Sequence, residues 1–237
     1  MCGRFVVAKA VGDIVTTFEI DEVIGEMPGI SYNVAPTQQI AMVVDRSFEK
    51  DEDGGPVGEL SRELHSARWG LVPRWAKGES EGAPLINGRI ETILEKPSFK
   101  DSVIRRRCVI PASGYYEWQV KPDGTKQPFY INAGEGMFAL AGLYEWWKKP
   151  DGGWLLSATT LTKDSAPELA HIHDRNPLLL TPETFEAWLD PHLIGDQELL
   201  EAISSGSDEV AAEALFNPVA ARVGKVSEND SNLILPL

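Results

Sequence analysis

At 237 residues and 43% hydrophobic content, the chain has enough apolar material for one sizeable core or for two small ones. No apolar run nears the ~18 residues that cross a bilayer, and the start lacks the basic and apolar regions of a signal peptide, so a soluble cytoplasmic protein is expected. With 2 cysteines and no C-x-x-C spacing there is no disulfide framework or zinc site, and a formal charge of −14 disfavours a phosphate-binding surface unless cations are locally gathered.

The chain opens Met1-Cys2-Gly3-Arg4-Phe5. Loss of Met1 would leave Cys2 with a free α-amine, titrating near ~7.7–8.0, beside a thiol near ~8.5. Such a 1,2-aminothiol can act as a nucleophile with its own amine as base, or condense with an aldehyde through an imine that sulfur closes into a thiazolidine. Taken alone, position 2 is better read as an unstructured terminus. Residues 13 to 20 (DIVTTFEI) read as a short helix capped by Asp13. In Tyr32-Asn33-Val34-Ala35-Pro36-Thr37 a rigid loop is expected, whose proline either wedges between bases or makes an ordinary turn. A buried strand starts at Ile40 (IAMVVD), and the acidic stretch 46–64 after it reads as a hairpin tip, insertion or loop.

Further on, Arg68-Trp69-Gly70-Leu71-Val72-Pro73-Arg74-Trp75 interleaves aromatics with cations, which suits base stacking beside phosphates, although tryptophan in a β core is commoner. Lys96, Lys100, Arg105, Arg106 and Arg107 form a basic run, read as a polyanion-binding stripe or a solvated face. RCVIPA, PFYINA, MFALAGLYEWW, GGWLLSATTLT and NPLLL are strand-like, with Cys108 a small buried hydrophobe, and Pro122-Asp123-Gly124 and Pro150-Asp151-Gly152-Gly153 mark turns. Glu117, set among Tyr115, Tyr116 and Trp118, would have its carboxyl pKa raised by an apolar surround, and a solvated rim carboxylate is the plainer alternative. His171 and His173 would share one face of a strand; no third metal ligand is evident, so proton transfer by one histidine oriented by Asp174 is favoured over zinc. TPETFEAWLD is a helix capped by Thr181 that buries Phe185, Trp188 and Leu189, and the acidic segment 196–213 is another. Strands thus outnumber helices. A single α+β domain over 1–237 follows, with a curved, barrel-like antiparallel sheet and helices outside it.

MCGRF, YNVAPT, RWGLVPRWA, INGRIET with EKPSF, RRRCVIPASGYYEW, KQPFYI, AGLYEWW and HDRNPLLL occur in this order, and together they resemble the SRAP family, the SOS response-associated peptidase or abasic site processing proteins. The resemblance implies a sensor of abasic sites in single-stranded DNA. Cys2 would capture the ring-opened sugar as a thiazolidine cross-link, with Met1 or leader removal and strand cleavage as associated activities. It implies that Asn87 holds the sugar ring, Glu117 assists ring opening and imine formation, and His173 is the second acid/base. Arg4, Asn33, Arg89 and Arg175 would contact DNA, Pro36 would be the wedge, and Trp75 would line the channel. No cofactor or metal is implied, and a monomer without a membrane partner is expected. Gly88, where the family often has alanine, should loosen its strand. Asn176 and Asn217-Pro218-Val219-Ala220 also depart from the pattern, and the latter change would remove a phosphate or backbone contact.

Two other readings use the same residues: a cysteine peptidase with an N-terminal nucleophile, and a non-covalent single-strand binding module, which would keep its affinity in Cys2→Ala. The net charge bears on affinity rather than on the chemistry of Cys2. Binding to single-stranded DNA is expected to be weaker at low salt than for a basic relative and to change little with salt; a log–log slope implying many phosphate contacts would contradict this.

Overall fold

In the computed structural model, which describes residues 3–52, 55–79 and 82–237, the apolar alternations of the sequence become strands. β1 (Phe5–Val7), α1 (Val11–Thr17), β2 (Glu22–Ile24) and β3 (Ser31–Val34) are short, whereas β4 (Gln39–Lys50) and β5 (Pro56–Trp69) form a long hairpin. β6 (Asn87–Arg89), α2 (Lys100–Arg105), β7 (Arg107–Ala112), β8 (Gly114–Val120) and β9 (Lys126–Asn132) follow. β10 (Phe138–Lys148) and β11 (Trp154–Asp164) form a second long hairpin, and β12 (Arg175–Pro177), α3 (Pro182–Leu189), α4 (Gln197–Ala212) and β13 (Leu215–Pro218) come last.

The larger sheet closes on itself. Strands β10, β7, β4 and β5 lie side by side between β11 and β11 again, because β5 pairs with β11 as well as with β4. The expected antiparallel barrel is therefore present, but its closing seam, Ser157 opposite Arg68 and Ala158 opposite Trp69, is parallel. Strands so far apart in sequence are free of the hairpin constraint that makes neighbours antiparallel. Trp69 is fully buried in the barrel, edge-on to Phe5 at 4.9 Å, and donates from Nε1 to the carbonyl of Ile86 at 3.0 Å. Burying such side chains contributes about 1.5–3 kcal/mol each. The smaller sheet, β13-β9-β8-β1-β3, is antiparallel throughout.

The acidic stretch 46–64 is mostly strand: Arg46 pairs with Ser61, Ser47 with Leu60 and Lys50 with Pro56, so it forms the outer half of the β4–β5 hairpin. Helix α1 begins earlier than the sequence suggested. Ala10 occupies the cap, and Asp13, at the third helical position, accepts from the Ala10 amide at 3.1 Å. Thr181 and Asp196 do cap α3 and α4, and Trp188 is fully buried with its Nε1 on the Cys108 carbonyl at 2.9 Å. The basic run divides: Lys96, Lys100 and Arg105 are exposed, whereas Arg106 and Arg107 are held by the fold. Arg107 is buried and donates to the carbonyls of Val103, Ile104, Trp188, Asp190 and Leu193, Arg106 pairs with Glu145, and Arg105 reaches Pro191. These carbonyls end helices and turns, where peptide oxygens have no intrahelical donor. Among the described residues, no helix is long and apolar enough to cross a membrane.

One of the joints between barrel and second sheet positions the site. β7 runs into β8 across Ser113, whose amide donates to the Val6 carbonyl at 2.7 Å and whose hydroxyl accepts from the Ala8 amide at 2.9 Å. Gly114 follows it, and a Cβ there would stand 2.4 Å from the Ile131 carbonyl oxygen and 2.6 Å from the Tyr130 ring. Backbone cannot yield as a side-chain tip can. Gly114→Ala should destabilise the protein by about 1–3 kcal/mol in urea unfolding, as overpacking does, whereas Gly12→Ala, in α1 with nothing within 4 Å of the new carbon, should be neutral or stabilising by up to about 1 kcal/mol.

Candidate active site

Beyond that joint, strand alternation sends Tyr115 and Glu117 to one face of β8 and Tyr116 and Trp118 to the other. Tyr115 enters the main core, and Tyr116 a smaller cluster with Val6, Tyr130, Val219, Val223 and Leu233. Glu117 shares the Tyr115 face and is only 2% exposed. Loss of water disfavours its anion and pushes its pKa up to about 7. At neutral pH this carboxyl can both give and take a proton.

His173 Nε2 lies 3.8 Å from Glu117 Oε2. The histidine comes from a run of turns, residues 166–173, in which the Ala166 carbonyl accepts from both Leu169 and Ala170, and the Leu169 carbonyl from both Ile172 and His173. His171 and His173 therefore do not share a strand face. His171 packs instead against Phe129 and Phe216, with ring centres 6.5 and 5.3 Å away. Among the described residues, no three of His, Cys, Asp and Glu are grouped to hold a metal.

The other ring nitrogen of His173, Nδ1, is 3.0 Å from the Arg175 amide nitrogen and 2.8 Å from Asp174 Oδ1. One nitrogen cannot accept from the amide and donate to the carboxylate at once. Burial lowers the His173 pKa, while the Asp174 side chain is 86% exposed and solvated. The ring is thus neutral near pH 7, Nδ1 accepts from the amide, and Nε2 carries the proton on the side facing Glu117. Protonation in acid would let Nδ1 donate to Asp174.

Asn87 and Arg89 arrive on β6, which pairs in parallel with β11: Asn87 opposite Thr160 and Arg89 opposite Thr162. The Asn87 Oδ1 accepts from the Thr160 hydroxyl. Gly88 sits in a closely packed stretch, where a Cβ would meet the side-chain tips Ile93 Cδ1 at 2.6 Å and Leu161 Cδ2 at 3.2 Å. Asn87, Glu117 and His173 each take part in further interactions, so none is a spare group. Cys2 lies outside the described residues. The residues after it lead into β1 beside β8, where the Arg4 carbonyl accepts from the Tyr116 amide at 3.0 Å.

Residues 1–226 match the family described as SOS response associated peptidase (SRAP). The chain belongs to this family. It is 37% identical over 236 residues, 99% of both chains, to the abasic site processing protein YoqW of Bacillus subtilis. It is 30% identical over 245 residues, 100% of both chains, to the abasic site processing protein YedK of Escherichia coli. A solved structure of a Bacteroides thetaiotaomicron protein shares the fold, with a TM-score of 0.78, 21% identity and 100% of both chains covered.

Within this SRAP chain, the residues expected to touch DNA divide into two groups. The Arg89 side chain is exposed and has no hydrogen-bond or ion-pair partner among the described residues, and Trp75 is 63% exposed, with Nε1 a long 3.5 Å from the Pro97 carbonyl. Pro36 is half-buried in the turn after β3, next to Thr37, whose φ of 73° is left-handed. The others point inward. Asn33 is 2% exposed and its amide donates to the carbonyls of Val223, Lys225 and Glu228. Arg4 donates to Asn33 Oδ1 at 2.9 Å and to the Val223 and Gly224 carbonyls, so the pair clamps the C-terminal segment. Arg175, expected to contact DNA, is 6% exposed and held by Glu91 and Asp164. Asn176 is also structural, accepting from the Ala166 amide at 2.9 Å. Sequence reasoning overlooked Thr160, Glu91 and Asp164, because only the folded sheet reveals that they face Asn87 and Arg175.

A buried carboxyl with a raised pKa makes stability depend on pH in a known direction. Unfolded glutamate titrates near ~4.3 and folded Glu117 at about 7, so between these values the native state holds more proton and its stability falls as pH rises. Glu117→Gln, which cannot ionise, should gain stability relative to the parent between pH 5 and pH 8 in urea unfolding. An unchanged gap would show that Glu117 does not titrate in that window.

Proposed function

We propose that this SRAP protein captures abasic sites in single-stranded DNA as a thiazolidine at Cys2. The observation that carries this reading is the Glu117–His173 pair: a carboxyl titrating at about 7, 3.8 Å from an imidazole, on the strand bonded to the one that begins three residues after Cys2. The names of the relatives supply the substrate.

Once Met1 is gone, the Cys2 amine adds to C1′ of the ring-opened deoxyribose. Glu117 donates the proton with which the carbinolamine oxygen leaves as water, giving the imine. The Cys2 sulfur then adds to the imine carbon as its nitrogen takes up a proton, and the ring closes with one water released overall. Glu117, left ionised by imine formation, can accept a proton from C2′ in the imine while the Nε2–H of neutral His173 donates to the departing 3′-phosphate oxygen, the β-elimination that cleaves the strand. Asn87 would orient the sugar, Arg89 a flanking phosphate, and Pro36 and Trp75 the neighbouring bases. Removal of Met1 by the chain itself would use the same groups: the Cys2 thiolate attacks the Met1 carbonyl, the Cys2 amine leaves with a proton, and water hydrolyses the resulting thioester to release methionine.

The test is incubation with single-stranded DNA carrying one abasic site, without reductant, followed by denaturing electrophoresis and intact mass. A heat-resistant adduct whose mass lacks Met1 and one water, absent in Cys2→Ala, is expected. Glu117→Gln should slow its formation by about 10²–10⁴-fold. Should DNA bind and Met1 be absent yet no adduct form, the reading fails.

A further inference from the structure

Arg175 makes contacts of a kind a phosphate ligand does not need. Its Nη1 and Nη2 donate to the two oxygens of Glu91 at 2.8 and 2.9 Å as a fork, Nη1 also meets Asp164 Oδ1 at 2.6 Å, and Nη2 reaches the Thr162 carbonyl at 2.8 Å. Two carboxylates around one guanidinium leave the cluster with a net negative charge, so an incoming phosphate would be repelled at contact range. The connections matter more than the charge. Glu91 follows Asn87 and Arg89 in the turn 90–92 that continues β6, whereas Arg175 opens β12 and its own amide donates to His173 Nδ1. Between them runs β11, with Thr162 opposite Arg89 on one side and opposite Pro177 on the other. β12 itself is three residues long and ends in a proline, which brings no N–H to the ladder. The strand pairing alone is therefore a weak hold on the residue that orients His173.

We propose that Arg175 is a positioning residue: by locking Glu91 and the end of β11 together, its guanidinium keeps its own amide on His173 Nδ1 and so holds the Nε2 proton toward Glu117. This rests on the acid/base role given to His173 above. The fork also ties the strand carrying Asn87 to the segment carrying His173, so that sugar holder and proton carrier are set by one clamp. Among the described residues, the charged groups near the imidazole are Glu117 from β8, Asp174 beside it and Lys126 from β9.

Arg175→Lys and Glu91→Gln test this, since lysine cannot form the two-pronged contact and glutamine removes its charge. Nitrogen NMR of the ring, taken without DNA, should find the Nε2–H form in the parent and a mixture of both tautomers in each variant. At saturating abasic DNA, adduct formation should fall about 10- to 100-fold in both, with a displaced pH–rate profile. In a Cys2→Ala background, affinity for unmodified single strands should stay within about twofold. The opposite pattern overturns the proposal. If Arg175 binds phosphate, Glu91→Gln would tighten DNA binding by freeing it, Arg175→Lys would weaken binding, and the tautomer and rate would not change. Thermal unfolding of both variants separates loss of the fold from loss of the clamp. Failure of the parent to form any adduct would sink the capture chemistry but leave the NMR result to decide the positioning.

Discussion

β11 hydrogen-bonds to β10 along one edge, and along its other stretches to β5, β6 and β12, so four strands take their places from one. The parallel seam with β5 closes the barrel, and the parallel pairing with β6 a few residues further on delivers Asn87 and Arg89. Pairing with β12 then sets Arg175 and, through its amide, His173. The polar side chains of β11 make this possible. Ser157, Thr159, Thr160 and Thr162 are fully buried, and buried hydroxyls must find partners. They find them in the neighbouring strands: Ser157 accepts from the Val72 amide, and Thr160 bonds both the Ile86 carbonyl and Asn87.

The second half of the site depends on the joint at Ser113 and Gly114. β8 leaves the barrel there and joins β1, which brings Glu117 to the same region as the N-terminal segment. The two halves meet in the Glu117–His173 contact. Neither half is local in sequence: β1, β6, β8 and the turn before β12 are spread over most of the chain. Burial of Glu117 to 2% exposure is what lets its carboxyl titrate at about 7.

With 36 acidic residues against 22 basic ones, the chain uses many of its arginines inside. Arg107 gathers carbonyl oxygens, and burial pushes its pKa down to about 10. Arg62 pairs with Asp45 and Glu186 and lies over the Phe185 ring at 4.8 Å. Arg222 ties Glu228 and Asp230 together, next to the segment that Arg4 and Asn33 hold. A planar guanidinium with five donors suits such sites better than lysine. The cations left at the surface include Arg89, the 67% exposed Arg74, and exposed lysines such as Lys96 and Lys100.

Much of the architecture could be read in advance, because alternation of apolar residues in IAMVVD or MFALAGLYEWW and the cap at Thr181 are local signals with local causes. So was the Glu117 carboxyl, since an apolar surround can be inferred from Tyr115, Tyr116 and Trp118. By contrast, the basic run from Lys96 to Arg107 looks the same in sequence whether its arginines face water or carbonyls. His171 and His173 likewise carry no mark of the turns that separate them. The sequence by itself determined the family, the strand content and which side chains are candidates for its chemistry. Only the tertiary structure decided which of those side chains are offered to a ligand and which are consumed by the fold, because burial and pairing depend on partners brought from distant strands.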